Sequence, residues 1–269
     1  MQVINTNVSA LQAQNALASN SRTMSTAMQQ LSTGSRINSA KDDAAGLGIS
    51  QTMTSQIRGL NQAVRNANDG VNMLQTAEGA MVEQANMLQR MRELAVQSAN
   101  GSNSSDQRSY LQKEFSELSS QIDSIKGQTL WNDKRVLSGG TIKFQVGMDS
   151  GQTVSVVMTS MTANVLGVSG QTVATATGAS TALGKLDTAL SKINLQRSDI
   201  GASINRLTYA ADNLSNTSAN LAASRSAIAD TDYATASTAL SRGQIIQQAA
   251  TAMLAQANQQ PQSVLALLK

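Results

Sequence analysis

Cysteine and histidine are absent from the sequence, and proline occurs once, at Pro261. Without cysteine and histidine the protein can form no disulfide, no Ser–His or Cys–His catalytic pair and no HExxH zinc site. Aromatic residues make up 2% of the chain, although compact globular cores usually take much of their buried area from large rings. Because proline is missing before Pro261, long helices are possible over almost the whole length. The composition argues against an enzyme and favours slender helical layers.

Charge is also scarce, with 14% charged residues and a formal net charge of +3. No run of five or more basic residues occurs, so nucleic acid is not an expected partner. No apolar run approaches the ~18 to 20 residues that span a bilayer, so membrane insertion is not expected. Gly139-Gly140 precedes a predicted strand rather than a helix N-terminus, which excludes a phosphate-binding loop there. We therefore expect no catalytic, cofactor-binding or metal-binding residues.

Apolar residues recur at heptad spacing at both ends of the sequence, which is typical of long helices with one apolar face. The helices between the two ends can cover one another, whereas the terminal stripes have fewer partners within one molecule. A closed intramolecular bundle is one explanation of the terminal stripes, and burial between copies of the chain is the other. The stripe residues that the second explanation would bury between copies, and so assign to polymerisation, are Val3, Ile4, Leu11, Leu17, Met24, Leu31, Ile246, Met253, Val264 and Leu268.

The middle of the sequence changes its pattern twice. Apolar residues at coiled-coil spacing over 53–74 predict a long helix, and those over 111–125 predict a shorter one. Alternating apolar residues over 142–158 predict a β-hairpin, and the Thr-, Ser- and Gly-rich residues 159–181 predict an exposed loop. The longest seam covers 183–228 and is interrupted only by Arg197, Ser218 and Arg225. The predicted fold is mainly α, with long antiparallel coiled-coil-like helices, a small β-hairpin region and paired N- and C-termini.

Several long motifs in a fixed order resemble bacterial flagellin, and their number makes the resemblance specific. The motifs are Gln2–Asn7 (QVINTN), Gln29–Ser50 (QQLSTGSRINSAKDDAAGLGIS), Leu88–Gln97 (LQRMRELAVQ), Ala223–Ser226 (ASRS) and the tail from Gln244 to Lys269. The resemblance covers roughly residues 1–137 and 183–269.

The resemblance implies two domains. Residues 1–44 plus 229–269 would form an inner domain of terminal helices that builds the filament core and lines its channel. Residues 45–228 would form a helical rod domain, with the hairpin and loop region at about 129–181. Only about 45 residues stand where long flagellins carry a variable region, so large outer domains are expected to be absent.

The resemblance also implies a function and a set of partners. The protein would self-assemble into the extracellular flagellar filament for swimming motility, alone or with sibling flagellins. Hook-associated junction and cap proteins and a flagellar export chaperone would be its other bacterial partners. Residues 1–7 lack the basic segment followed by an apolar one that marks a Sec-type signal peptide, so we expect export without a cleaved signal peptide.

Two groups of residues match family positions that host immune receptors recognise. By this resemblance, the residues expected to contact Toll-like receptor 5 are Gln89, Arg90, Arg92, Glu93, Leu94, Gln97 and Glu114. The residues expected to form the epitope of the plant flagellin receptor are Gln29, Arg36, Asn38, Lys41, Asp42, Asp43, Gly46 and Leu47. The residues alone indicate a simpler role, namely solvated helix charges, helix packing and helix capping.

Local features complete the sequence-based expectations. Ser39-Ala40-Lys41-Asp42 fits a capping box for the helix that follows, and Asp42 and Asp43 are favourable near its N-terminal dipole. Trp131-Asn132-Asp133-Lys134 stands where the family often has Phe-Asn-Gly, so the turn lacks its glycine, and Asp133 can tolerate a left-handed conformation there at some cost. Two alternatives remain open: a hook–filament junction protein, which shares the terminal helices, and a lipid-surface helical protein, which would need a bulkier apolar face with basic flanks.

Overall fold

The computed structural model describes the backbone of residues 6–267 and the side chains of residues 6–259. Over the described residues the chain forms six helices and four short strands. The helices are α1 (Val8–Thr33), α2 (Ala44–Ala99), α3 (Ser105–Gln128), α4 (Ala163–Leu166), α5 (Ala176–Ala229) and α6 (Tyr233–Leu267). The strands are β1 (Leu130–Trp131), β2 (Lys134–Arg135), β3 (Gly140–Gln145) and β4 (Thr153–Met158). The prediction of a mainly α fold with a small β region is confirmed.

The protein divides into two compact units. The terminal unit contains the residues up to Ser55 and those from Asn220 onward, and the central unit contains Gln56–Ala219. In the terminal unit α1 packs along α6. The Asn20 Nδ2 atom donates a hydrogen bond to the Gly243 carbonyl at 2.8 Å. A Cβ atom added at Gly243 would meet the Met24 Cβ at 3.5 Å, so the small residue allows the two helices to approach closely.

A short corner of the terminal unit joins the end of α1 to the connection between α5 and α6. The α1 helix ends at Gly34, whose φ of 70° is left-handed and therefore favours glycine. The Arg36 N–H donates to the Ala229 carbonyl at 2.7 Å, and the Thr231 N–H donates to the Gly34 carbonyl at 2.9 Å. An isolated antiparallel bridge pairs Ser35 with Asp230. These backbone hydrogen bonds fix the corner.

The N-terminus of α2 corrects the expected capping box. Asp43, rather than Ser39, caps the helix, because its Oδ1 atom accepts a hydrogen bond from the Gly46 N–H at 2.8 Å. Asp42 closes the preceding turn, and its Oδ2 atom accepts from the Ser39 N–H at 2.9 Å. The predicted contact between Ser39 and Asp42 is present. The helix, however, is capped four residues later than predicted, at Asp43 instead of Ser39. A complete capping box occurs instead at α3, between Ser104 and Gln107.

The core of the central unit is one cluster of buried apolar side chains from α2, α3, α5 and the β3–β4 hairpin. It includes Leu74, Met81, Leu88, Met91, Leu94, Phe115, Ile122, Val156, Leu186, Ile193, Ile200 and Leu207. Because the aromatic contribution is small, aliphatic and methionine side chains supply most of this packing. Both the helix of residues 53–74 and the seam of residues 183–228 therefore take part in the core as predicted.

Two details of the prediction are wrong. In α5 the predicted seam residues Leu186, Ile193, Ile200 and Leu207 are buried. At the positions between them the buried residue precedes the predicted one, so that Gln196 and Ser203 are buried whereas Arg197 and Ile204 are only half-buried. Residues 159–181 are not an exposed loop, since they contain α4 and the first turn of α5. The side chains of this segment that lie in the core are Met161, Ala163, Leu166, Val168, Val173 and Ala179.

The two strand pairs are antiparallel hairpins. In the larger hairpin Ile142 pairs with Val156, as the predicted alternation requires. In the smaller one Trp131 pairs with Lys134 across a two-residue turn. Both turn residues have positive φ, 48° at Asn132 and 61° at Asp133, which is the pattern of a type I′ turn. Asp133 thus adopts the left-handed conformation that an aspartate can tolerate at some cost.

Candidate assembly and recognition surfaces

The predicted polymerisation stripe divides into two groups of side chains on α1 and α6. Leu17, Met24 and Leu31 are half-buried. Three others are exposed, namely Leu11 at 55%, Ile246 at 40% and Met253 at 65%. Val3, Ile4, Val264 and Leu268 lie outside the residues whose side chains the structure describes.

Very few side chains of α1 and α6 are buried. Within the described parts of these two helices, the buried residues are Ala27, Ala236 and Gly243, all of them small. The sequence pattern missed three further exposed apolar side chains, Val8, Met28 and Ile245. They were missed because they fall outside a strict heptad column, and their apolar side chains were the only signal in the sequence that could have identified them. A groove runs between the helices, lined mainly by small residues that include Ala16, Thr23, Thr238 and Ala239.

A network of ion pairs occupies one face of the central unit. The Arg90 Nε atom lies 2.9 Å from Glu114 Oε1, and its Nη1 atom lies 3.0 Å from Glu93 Oε2. These hydrogen bonds, first to Glu114 and then to Glu93, raise the pKa of the Arg90 guanidinium. The Arg92 Nε atom pairs with Asp187 Oδ1 at 2.8 Å. All these side chains remain solvent-exposed, so each pair contributes little to stability.

The other residues expected at the Toll-like receptor 5 surface differ in exposure. Gln89 and Gln97 are exposed and lie on α2 beside Arg92 and Glu93. Leu94 is 1% exposed and belongs to the core of the central unit. The structure therefore brings six of the seven residues to the surface and places Leu94 beneath them.

The residues expected at the plant receptor epitope surround the corner of the terminal unit. Gln29 and Lys41 are exposed. The Arg36 Nη2 atom donates to the Ile228 carbonyl at 2.6 Å, and the Asn38 Nδ2 atom donates to the Ser35 carbonyl at 2.8 Å. The remaining four residues lie at the start of α2, and they are Asp42, Asp43, Gly46 and Leu47.

Gly46 and Asp42 show how tightly this corner is built. A Cβ atom at Gly46 would come within 2.7 Å of the Ile37 Cδ1 atom and closer still to the Asp43 carboxylate. The pKa of Asp42 is lowered, chiefly by the hydrogen bond from the Ser39 hydroxyl and further by the Ser39 and Asn38 backbone N–H groups. Most of these residues thus have a structural role in the corner.

Two buried glutamines support the central unit and were not singled out from the sequence. The Gln84 Nε2 atom donates to the Ile122 carbonyl at 3.1 Å and to the Met161 carbonyl at 3.0 Å. The Gln196 side chain donates to the Val157 carbonyl at 3.0 Å and accepts from the Thr159 N–H at 3.1 Å. Glutamines are usually exposed, so the sequence carried no signal for their burial.

The described residues offer no sign of metal chemistry or membrane insertion. No cluster of acidic side chains among them could hold a metal ion. In the same part of the protein, no helix combines the length and the apolar character required to cross a membrane.

Two family models match the two halves of the sequence. The model of the bacterial flagellin N-terminal helical region matches residues 4–141, and that of the bacterial flagellin C-terminal helical region matches residues 183–268. The chain belongs to the bacterial flagellin family. This flagellin is a structural protein of the extracellular flagellar filament, as its family membership establishes, and it is not an enzyme. The resemblance drawn from the sequence motifs is confirmed.

Relatives of similar length align with the chain over nearly its whole length. The chain is 42% identical to flagellin from Halalkalibacterium halodurans over 271 residues, which covers 99% of this chain and 100% of that protein. It is 41% identical to the flagellar filament 33 kDa core protein from Treponema phagedenis over 285 residues, again covering 99% of this chain and 100% of that protein. These matches place it among short flagellins.

Solved structures agree with the assignment. The crystal structure of Bacillus cereus flagellin matches with a TM-score of 0.50 and 31% identity, covering 60% of this chain and 94% of that chain. A flagellar hook-associated protein from Vibrio parahaemolyticus matches with a TM-score of 0.58 but 16% identity, covering 70% of this chain and 99% of that chain. The second match shows a shared fold alone, so the alternative of a junction protein is not favoured.

Proposed function

We propose that this flagellin polymerises by burying the apolar faces of α1 and α6 against other copies of the chain. The observation that carries the proposal is the contrast in burial between the two units. The central unit buries a core of large apolar side chains within one molecule, although a few others, such as Val157 and Leu195, stay exposed. The described parts of α1 and α6 bury no large apolar side chain, and Leu11, Ile245 and Met253 are each more than half exposed. Each large apolar side chain that becomes buried contributes about 1.5–3 kcal/mol, so repeated contacts along a polymer add up to a stable filament.

In this proposal the inner domain, residues 1–44 plus 229–269, forms the filament core and lines its channel. The helical rod domain, residues 45–228, carries the hairpin region. The helices of the inner domain present many neutral polar residues beside their apolar stripes, which suits helices that face an aqueous channel on one side and neighbouring copies on the other.

Truncated proteins test this proposal. A protein lacking residues 1–35 and one lacking residues 235–269 keep the central core intact and lose one member of the α1–α6 pair. Both are expected to keep cooperative unfolding of the central unit, measured by circular dichroism, and to form no filaments after seeding, observed by electron microscopy. Filaments of normal length from either truncated protein would refute the proposal.

The exposed apolar side chains of α1 and α6 also support the other bacterial partners that we propose. An export chaperone would cover the apolar face of α6 before assembly, and export would proceed without a cleaved signal peptide. Junction and cap proteins and sibling flagellins would contact α1 and α6 at the filament ends or within the polymer. Binding of purified chaperone to the full-length protein, but not to the protein lacking residues 235–269, is the expected result of a pull-down experiment.

We further propose that the exposed ion-pair face of the central unit is recognised by host Toll-like receptor 5. Its exposed charged and polar groups are Gln89, Arg90, Arg92, Glu93, Gln97 and Glu114. Arg90 is supported as the central contact because two carboxylates hold its guanidinium in one orientation, so binding loses little side-chain entropy. Leu94 would act from the core by holding α2 in place.

Receptor-bearing cells test the role of Arg90. The monomeric variant Arg90→Ala is expected to activate these cells at least about tenfold less than the parent protein, a loss of ~1.4 kcal/mol in binding. The matched control is Arg65→Ala, which removes an exposed arginine from the same helix. Equal activation by Arg90→Ala and the parent protein would contradict the proposal.

A plant receptor is proposed to read the corner of the terminal unit, with Asp43 among its contacts. Asp43→Asn keeps an acceptor for the Gly46 N–H and removes the charge, so the helix cap should survive. This variant is expected to weaken the response of plant cells, while its helical content stays equal to that of the parent protein. An unchanged plant response would argue against a role for Asp43.

A further inference from the structure

The loop between α2 and α3 contains the sequence's one Asn-Gly pair, Asn100-Gly101. Both residues are exposed. The Asn100 Oδ1 atom accepts a hydrogen bond from the Ser102 N–H at 3.2 Å. A Cβ atom at Gly101 would meet no atom within 4 Å, and in the described part of the protein the Gly101 N–H donates no hydrogen bond. The backbone nitrogen next to the Asn100 amide is therefore unobstructed.

We propose that Asn100 is a site of spontaneous deamidation, which would mark older molecules of this flagellin. The Gly101 nitrogen loses its proton and attacks the Asn100 Cγ atom, forming a new bond between these two atoms. The bond between the Asn100 Cγ and Nδ2 atoms then breaks, and ammonia leaves, so that a five-membered succinimide remains. Water opens the ring at either carbonyl and gives an aspartyl or an isoaspartyl residue. The step needs only water and no oxidant or reductant.

The local geometry assists the attack. Negative charge develops on the Asn100 Oδ1 atom as the tetrahedral intermediate forms, and the Ser102 N–H is already directed at that atom. A fixed donor at the site of developing charge stabilises such an intermediate. Glycine at position 101 also lets the backbone rotate into the conformation that ring closure requires, because no Cβ restricts φ and ψ.

Asn103 in the same loop is a natural comparison because it lacks these features. Its Nδ2 atom donates to the Gln97 carbonyl at 2.5 Å. The N–H of the following residue, Ser104, donates to the Gln107 Oε1 atom at 2.9 Å within the capping box. The nucleophilic nitrogen and the leaving amide are both held in place, so Asn103 is expected to react more slowly.

The product would change the C-terminal end of α2. The Arg108 Nε atom donates to the Ser98 carbonyl at 2.9 Å, and its Nη2 atom donates to the Asn100 carbonyl at 3.1 Å. An aspartate at position 100 adds negative charge beside carbonyls that already carry the negative end of the helix dipole. An isoaspartate lengthens the backbone by one carbon and displaces the Asn100 carbonyl from Arg108.

The experiment incubates the purified full-length protein at mildly alkaline pH and digests it with trypsin at intervals. Cleavage after Arg92 and Arg108 releases residues 93–108, in which mass spectrometry locates conversion of amide to acid and an isoaspartyl methyltransferase assay detects the isomer. Gly101→Ala is the matched variant, since the added methyl group meets no atom. We expect reaction at Asn100 roughly tenfold faster than at Asn103, and roughly tenfold slower in Gly101→Ala, because of glycine's backbone freedom.

A synthetic peptide of residues 93–108 provides the reference for the folded loop. Reaction in the folded protein as fast as in the peptide, or faster, supports assistance by the loop geometry. Equal rates at Asn100 and Asn103, an unchanged rate in Gly101→Ala, or a folded protein that reacts much more slowly than the peptide would each overturn the proposal.

Discussion

At the scale of single residues, the β1–β2 turn contains an avoidable strain. Asn132 and Asp133 both have positive φ, a conformation that costs residues with a Cβ roughly 1–2 kcal/mol relative to glycine. Asp133→Gly should therefore raise the free energy of unfolding by up to about 1 kcal/mol. This gain is smaller than the full conformational cost, because glycine has a greater entropy in the unfolded state. Urea titration followed by fluorescence of the neighbouring Trp131, the only tryptophan in the sequence, measures the change.

Asp133→Asn serves as the control for charge. Asparagine tolerates the left-handed region as aspartate does, so this variant should unfold at nearly the same urea concentration as the parent protein. A gain in stability from asparagine equal to the gain from glycine would show that charge, rather than backbone conformation, limits the stability of this turn.

Asp42 gives the corner of the terminal unit a dependence on pH. Hydrogen bonds, first from the Ser39 hydroxyl, lower the pKa of its carboxyl group in the folded protein. A group with a lowered pKa contributes stability above its unfolded pKa, about 3.9 for aspartate, and loses that contribution as the pH falls through the folded pKa. The Asn38 and Ser39 amides should therefore lose hydrogen-exchange protection on acidification below about pH 4.

Asp42→Asn separates this titration from general acid unfolding. The amide keeps an acceptor but cannot titrate, so in this variant the protection at Asn38 and Ser39 should be weaker at neutral pH and nearly constant across the acid range. A pH profile of protection identical to that of the parent protein would assign the effect to another carboxylate.

The sequence predicts the structural role of some residues better than that of others. A left-handed conformation was foreseeable as tolerable at Asp133, because it depends on the residue's own side chain and on the short turn between β1 and β2. The burial of Gln84 and Gln196 was not, because it depends on carbonyl groups that the fold brings from distant segments. The burial of Leu94 was anticipated only as packing on a neighbouring helix. Local preferences are readable in one sequence, whereas hydrogen bonds between segments are not.

At the scale of elements, Gln84 ties α2 to the end of α3 and to the segment before α4. Gln84→Ala would remove the donor of two buried hydrogen bonds and leave the Ile122 and Met161 carbonyls without it. Together with the cavity, the loss should lower the free energy of unfolding by about 2–4 kcal/mol. Gln89→Ala, at an exposed position of the same helix, should change it by less than about 0.5 kcal/mol. Similar losses in both variants would contradict a special role for Gln84.

The long helices were predicted because apolar spacing is a local signal that persists over many turns. In α5 only the alternate covered positions were predicted one residue too late, since apolar residues were assumed to define most of its covered face. Close packing against neighbouring segments instead selects the small Ser203 and the hydrogen-bonding Gln196. Residues 159–181 show the same limit, because scattered residues such as Leu166 and Val173 become core only when α2 and α3 provide a surface to cover them.

At the scale of the whole molecule, the two units differ in how complete they are. Phe115, Leu88 and Ile193 of the central unit are at most 1% exposed, which is the pattern of a domain that is stable by itself. The terminal unit pairs α1 with α6 through small residues and leaves several large apolar side chains in water. Such exposure is unfavourable in a monomer and is relieved when other copies cover the side chains, which suits the subunit of a filament.

A pair of substitutions tests this interpretation without shortening the protein. Leu11→Glu combined with Met253→Glu changes two side chains that are more than half exposed in the monomer. Monomer stability should therefore change by less than about 1 kcal/mol, the sum expected for two surface substitutions. In a polymer the new carboxylates would be buried without partners, which is costly. The yield of sedimentable polymer after seeding should fall by at least about tenfold, which corresponds to ~1.4 kcal/mol.

Gln256→Glu is the control, because it places the same charge at an exposed polar position of α6. It should polymerise at close to the yield of the parent protein. If the double variant sediments as well as the parent, the exposed apolar side chains of α1 and α6 are not what holds the filament together. If Gln256→Glu fails equally, added negative charge anywhere on α6 is sufficient to block assembly, and burial of the apolar stripe is not the cause.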